Sequence, residues 1–247
     1  MGPTWCLIAV LFVTVQGCLG TDGKPYFQTL CDGAEKCADY ELGEKLRRVH
    51  FLPTTEEELN SFCPSLIRVI WCVVKECAGK WNFYETMSNQ RTPEYALPAY
   101  KRSQLNLGGV MLEICTDGTE LRQDYLSSIT CFKTMFFDGK TNAQCQRNAY
   151  PTIQSLNLTV EGASETQRLR DTMCMSTFHA LACLVAETKK TCGTVASNMV
   201  KDIFKKVELI TWVDCNKTNM HILKSRFLNL HLLDKEREII FSSFFDS

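Results

Sequence analysis

From Thr54 the chain reads TTEEELNSFCPSLIRVIWCVVKECAG, in which Leu59, Phe62, Leu66, Ile70 and Val73 recur every three or four positions. That is the period of a helix with one apolar face. Thr54 with Glu57, or Thr55 with Glu58, forms a capping box ahead of it. Pro64 is expected to kink the segment or to start a new helix, and Gly79 to stop it near Ala78. A second segment repeats the design. Ser164 and Gln167 make a capping box before Leu169 and CMSTFHALACLVAETKKTCG, with Gly193 as the stop.

Weaker periodicity predicts further helices over Glu120–Phe137, with Leu121, Tyr125, Leu126, Ile129, Phe132 and Phe136 on one side, and over Val195–Leu209. Asp39–Val49 reads as a short helix. Alternation with period two is hard to find, so the fold class expected is all-α. Gly79–Gly109, rich in aromatics, Pro and Arg/Lys, reads as containing a long loop, and Asn142–Glu161, with Pro151, as a linker between halves. The stretch His221–Phe245 carries many Leu, Ile and Phe, and reads as a helix closing the core. A membrane-surface helix or a partner-binding helix is the alternative.

Residues 5–16 form an apolar run too short to span a bilayer, followed by Gly17-Cys18-Leu19-Gly20 and a polar segment. Small residues at Cys18 and Gly20 suit cleavage of a signal peptide over residues 1–20, although the run lacks a basic start. The expected organisation is then a first disulfide-rich helical module over 21–150, a second over 151–215, and a cysteine-free helical tail over 216–247. The expected location is extracellular.

The chain has 14 cysteines, of which Cys6 and Cys18 fall in the leader. Twelve remain: Cys31, Cys37, Cys63, Cys72, Cys77, Cys115, Cys131, Cys145, Cys174, Cys183, Cys192 and Cys215. The even number fits disulfides in an oxidising compartment, with the pairing open. At about 100° per residue, Cys63 and Cys72 lie on opposite faces of their helix, whereas Cys63 and Cys77 lie close to one face. Cys174 and Cys192 share a face that Cys183 opposes. Each helix should therefore be stapled to different neighbours on two sides. The shared C-x8-C spacing leaves open two related helical modules in one disulfide-stapled bundle. Asn157-Leu158-Thr159 and Asn216-Lys217-Thr218 are N-glycosylation sequons.

With Lys+Arg at 27 and Asp+Glu at 28, there is no basic excess to bind nucleic acid. Lys45, Arg47 and Arg48, and Lys201, Lys205 and Lys206, read as solvated helix faces. Structural zinc wants paired cysteines two to four apart with a matching second pair. Cys72-x4-Cys77 has no such partner, and His50, His179, His221 and His231 are scattered. No nucleophile elbow, zinc-protease helix or phosphate loop is present. Glu56-Glu57-Glu58 sit where acids complement a helix dipole, and His179 reads as a packed histidine. No catalytic residue, metal or cofactor is expected.

The elements Cys63-x8-Cys72-x4-Cys77 and Cys174-x8-Cys183-x8-Cys192-Gly193, with Cys215 beyond, resemble secreted cysteine-rich all-helical families of arthropods and nematodes, such as the insect haemolymph glycoproteins. Those families have no established catalytic site, so the resemblance implies a fold and a compartment and assigns no residue a role. Insect odorant-binding proteins share a C-x8-C element, but their C-x3-C pair is absent here.

The function expected is a non-enzymatic glycoprotein of an extracellular fluid that holds an apolar small molecule between helices. One alternative is a venom or defence effector acting on a membrane or receptor through the apolar tail. The other is a matrix component.

Overall fold

The computed structural model describes residues 33–37, 39, 42, 53–81, 99–137, 140–208, 215 and 217–245. Among these the chain is all-α: a 3-10 turn at Ala34–Cys37 and seven α-helices, without a strand. The helices are α1 (Glu56–Trp81), α2 (Ala99–Cys115), α3 (Glu120–Phe137), α4 (Lys140–Ser155), α5 (Glu165–Lys206), α6 (Lys217–Leu228) and α7 (Lys235–Ser243). Five disulfides staple them: Cys37–Cys72, Cys63–Cys115, Cys131–Cys192, Cys145–Cys183 and Cys174–Cys215. The leader, Cys31, Asn216 and Asp39–Val49 (apart from Asp39 and Leu42) lie outside the described residues, as does the side chain of Cys77.

The chain divides into two compact units, Met1–Ile129 and Thr130–Ser247, the division falling within α3. In the first, Thr55 Oγ1 accepts the Glu58 N–H at 3.1 Å, and the Glu58 carboxylate accepts the Thr54 N–H and hydroxyl at 2.7 and 3.0 Å. This fixes the start of α1. Leu59, Phe62, Leu66, Ile70 and Val73 are all buried, as their spacing requires. The helix does not break at Pro64 and runs past Gly79 to Trp81. An interior proline costs about 3 kcal/mol. Burying each of the flanking Leu59, Phe62 and Leu66 side chains returns about 1.5–3 kcal/mol. Cys63 also anchors the helix to Cys115 one residue before the proline.

The region read as a long loop is helical from Ala99, and Leu107, Val110 and Ile114 of α2 are buried. Residues 82–98 lie outside the described set. Arg122, only 6% exposed, then ties the first unit together. Its guanidinium donates to the Ile114 carbonyl at 3.1 Å and to Asn60 Oδ1 at 2.5 Å, and pairs with Asp117 at 3.0 Å.

In the second unit α4 replaces the linker expected over Asn142–Glu161. Lys140–Ser155 is helical because Cys145, Ala149 and Ile153, four residues apart, form a buried stripe. The surrounding polar residues hide that stripe in the hydropathy. Ser164 Oγ caps α5 by accepting the Gln167 N–H, while the Gln167 amide donates onward to Asp171 at 2.8 Å.

α5 is nominally 42 residues long, but Gly193 stands at φ 87°, ψ 179°. Ser197 Oγ donates to the Val185 carbonyl at 2.9 Å. In a straight helix those residues would be about 18 Å apart. The chain therefore reverses at Gly193, and its second arm folds back on the first. The tail completes this unit. Met220, Leu223 and Phe227 of α6 and Ile240, Phe241 and Phe244 at α7 are buried. Phe178 of α5 stacks on Phe245 at 4.1 Å, and Phe227 meets Phe241 at 4.9 Å.

Two substitutions test this account. Gly193→Ala should destabilise the protein by about 1–3 kcal/mol, because an L-residue is strained at that φ and ψ. Nothing lies within 4 Å of the added methyl, so the loss is conformational rather than steric. Arg122→Met, close in volume, should cost about 1–3 kcal/mol by orphaning the carbonyl of buried Ile114. Denaturant unfolding reads both, and no loss at either position would contradict the geometry.

Candidate functional site

The second unit contains a surface cleft of about 450 Å³ between α5 and α7. The reversal at Gly193 builds it. Val185 and Lys189 come from one arm of α5, and Thr194, Ser197, Asn198 and Lys201 from the other. Lys235, Glu236, Ile239 and Ile240 of α7 close the opposite side. Asp234 sets the register of α7 by accepting the Arg237 N–H at 2.9 Å. Arg237 holds Glu187 of α5 at 2.8 Å, and Lys189 holds Glu236 at 2.5 Å.

The cleft surface is predominantly apolar, and three lysines, Lys189, Lys201 and Lys235, are among its lining residues. Glu236 is the one acidic residue in that lining, and it already pairs with Lys189. Lys201 and Lys235 make no ion pair among the described residues. Ile239 is 62% exposed, so its side chain sits largely in water when the cleft is empty. Thr194 and Asn198 add neutral polar groups, whereas the Ser197 hydroxyl is spent on Val185. The arrangement offers an apolar wall with positive charge at its edge. It brings together no pair of groups set up for proton transfer or nucleophilic attack.

Comparison with protein families, curated proteins and solved structures yields no match. The resemblance to arthropod and nematode families therefore stays an expectation, and function rests on the residues themselves.

Ten of the twelve candidate cysteines meet as pairs. On α1, Cys63 reaches Cys115 of α2 and Cys72 reaches Cys37 of the 3-10 turn, so the helix is stapled on two sides. On α5, Cys174, Cys183 and Cys192 reach three different elements. Asn157 is exposed at φ 47° in the turn after α4. Among the described residues no group of three or more His, Cys, Asp or Glu side chains is placed to hold a metal ion. No helix of the described residues is long and apolar enough to cross a membrane.

Of the lysine cluster at 201, 205 and 206, only Lys201 joins the cleft. Lys189 and Lys235 carry no sequence signal, being 46 positions apart. Only the stop at Gly193 hinted that segments on either side of it would meet.

His179 packs edge-on to Phe227 with ring centroids 5.9 Å apart, and its Nδ1 is buried without a hydrogen-bond partner among the described residues. Burial, and then the positive charge of Arg237, push its pKa below the ordinary value of 6.5. The fold thus favours the neutral ring while the unfolded chain takes up a proton first. Stability is full well above pH 6.5 and falls as the pH drops through that value toward the lower value of the folded state. The thermal midpoint should decline between about pH 7.5 and about pH 5.5. His179→Phe should lessen that decline, and an unchanged pH profile in the variant would exclude His179 as its source.

Proposed function

We propose that the protein is an exported, non-catalytic binding protein that carries a small apolar molecule in the α5–α7 cleft. The observation behind this reading is the cleft itself: about 450 Å³, mostly carbon-lined, with Ile239 left in water beside it. Small-molecule sites commonly have volumes of about 300–1,000 Å³ and an apolar lining with a few polar groups. Five disulfides fit an oxidising compartment. Loops of 35 to 61 residues stand to gain about 3–4 kcal/mol of stability from each bridge. The exposed sequon at Asn157 fits export as well.

The effector alternative drew on the apolar tail. Leu223, Phe227, Phe241 and Phe244 are spent inside the second unit, which leaves Leu230, Leu232, Ile222 and Ile239 outside. Those four are too few to favour a membrane-inserting helix over the carrier.

Native mass spectrometry of the protein purified from its source tests the reading. The intact ion should lose a small apolar molecule when the protein is denatured without reduction. If masses match before and after, and no apolar compound is extracted, the carrier reading fails.

A further inference from the structure

Resting on the carrier reading, we infer that the cleft selects an aliphatic anion, its head group held by Lys201 and Lys235 and its chain laid along Val185, Ile239 and Ile240. A cleft for a purely apolar molecule would have no use for charge at its edge, because each ammonium loses water when an uncharged ligand covers it. Here three lysines are among the lining residues. Glu236 neutralises Lys189 at 2.5 Å and also lies on α7 next to Lys235. Lys201 and Lys235 remain as the uncompensated positive charges, one on each wall.

Chain placement follows from helix spacing. On α7, Ile239 stands one turn from Lys235, so an ammonium and an apolar side chain share one face. On the second arm of α5, Lys201 stands one turn from Ser197 and Asn198. Val185 and Ile240 supply the inner apolar wall. An extended chain ending in a carboxylate or phosphate matches both parts of the surface, apolar and cationic.

The affinity gained from the head group is bounded. Lys235 is exposed and Lys201 half-buried, and such pairs bring at most about 1 kcal/mol each. One such increment is about a fivefold change in affinity.

The test uses the oxidised full chain and calorimetric titration with three probes: dodecanoate, dodecyl phosphate and dodecanol. At least one anion should bind about fivefold more tightly than the alcohol. That advantage should shrink with added salt and vanish in the Lys201→Gln/Lys235→Gln double variant, in which dodecanol binds at least as tightly as either anion. The preferred anion identifies the head group. Ile239→Ser should weaken all three probes together.

If the three probes bind alike, the selection of an anion is overturned while the carrier reading survives. Anion preference that persists in the double variant places the head elsewhere and also overturns the assignment. If no probe binds and the native spectrum shows no released mass, the carrier reading falls first. The salt dependence of the unmodified protein keeps the question open to decision even if the double variant misfolds.

Discussion

The reversal of α5 at Gly193 is the constraint on which the second unit depends. A backbone at φ 87° and ψ 179° lies in a region that glycine alone occupies without strain. Cys192, immediately before it, is tied to Cys131, and Ser197, four residues after it, bonds back to Val185. The turn is thus fixed by a covalent bond on one side and a buried hydrogen bond on the other. With the arms folded together, Met199, Val200, Ile203 and Phe204 become core rather than the far end of a long exposed rod. The same fold-back presents two arms to α7, and the cleft exists only because of it.

The bridges distribute the rest of the order. Each joins backbones whose Cα atoms are 5.3–5.8 Å apart, a separation set by disulfide chemistry. Consecutive cysteines on α5 point to different partners, so the helix can neither slide nor rotate against α4 and the segment before α6. Exposed ion pairs do much less. Lys189–Glu236 and Arg237–Glu187 are partly in water, where such pairs are worth about 0–1 kcal/mol. They select the register of α7 more than they stabilise it. The weight of that contact falls on Ile240, Phe241 and Phe244. In the first unit the same division holds, with Cys63–Cys115 fixing α1 to α2 and Arg122 satisfying the carbonyl end of α2.

The sequence carried the helical class, both stapled helices, their caps at Thr55 and Ser164, and the stop at Gly193. Those features are local, and each has a chemical signature within one turn or two. It hid α4, because the buried stripe of Cys145, Ala149 and Ile153 is set among so many polar neighbours that the segment as a whole reads as polar. At Pro64 it left a break open, and the helix instead runs on through the proline, where burial of flanking residues outweighs the local cost. Arg122 could not be found in advance. Its partners come from a loop and two helices, up to 62 positions away, and a surface arginine has the same sequence appearance. The cleft was illegible for a related reason. Its lysines become neighbours only after a reversal whose direction no periodicity encodes.

Phe, Leu and Ile are abundant on the helices, but the folded chain spends most of them in its core. Phe178, Phe204, Phe227, Phe241 and Phe244 fill the interior of the second unit. A carrier reading founded on composition would therefore count core as cargo space. What survives is narrower: a solvent-facing trough with one exposed isoleucine and two lysines that make no ion pair among the described residues. A ligand in an open site of this kind would keep much of its surface in water, so apolar burial and half-screened charge would give only modest affinity. Modest affinity favours exchange over storage. A rigid, cross-linked scaffold is consistent with that, because the trough needs no ordering when a ligand arrives, and little of the interaction energy is lost to closing loops.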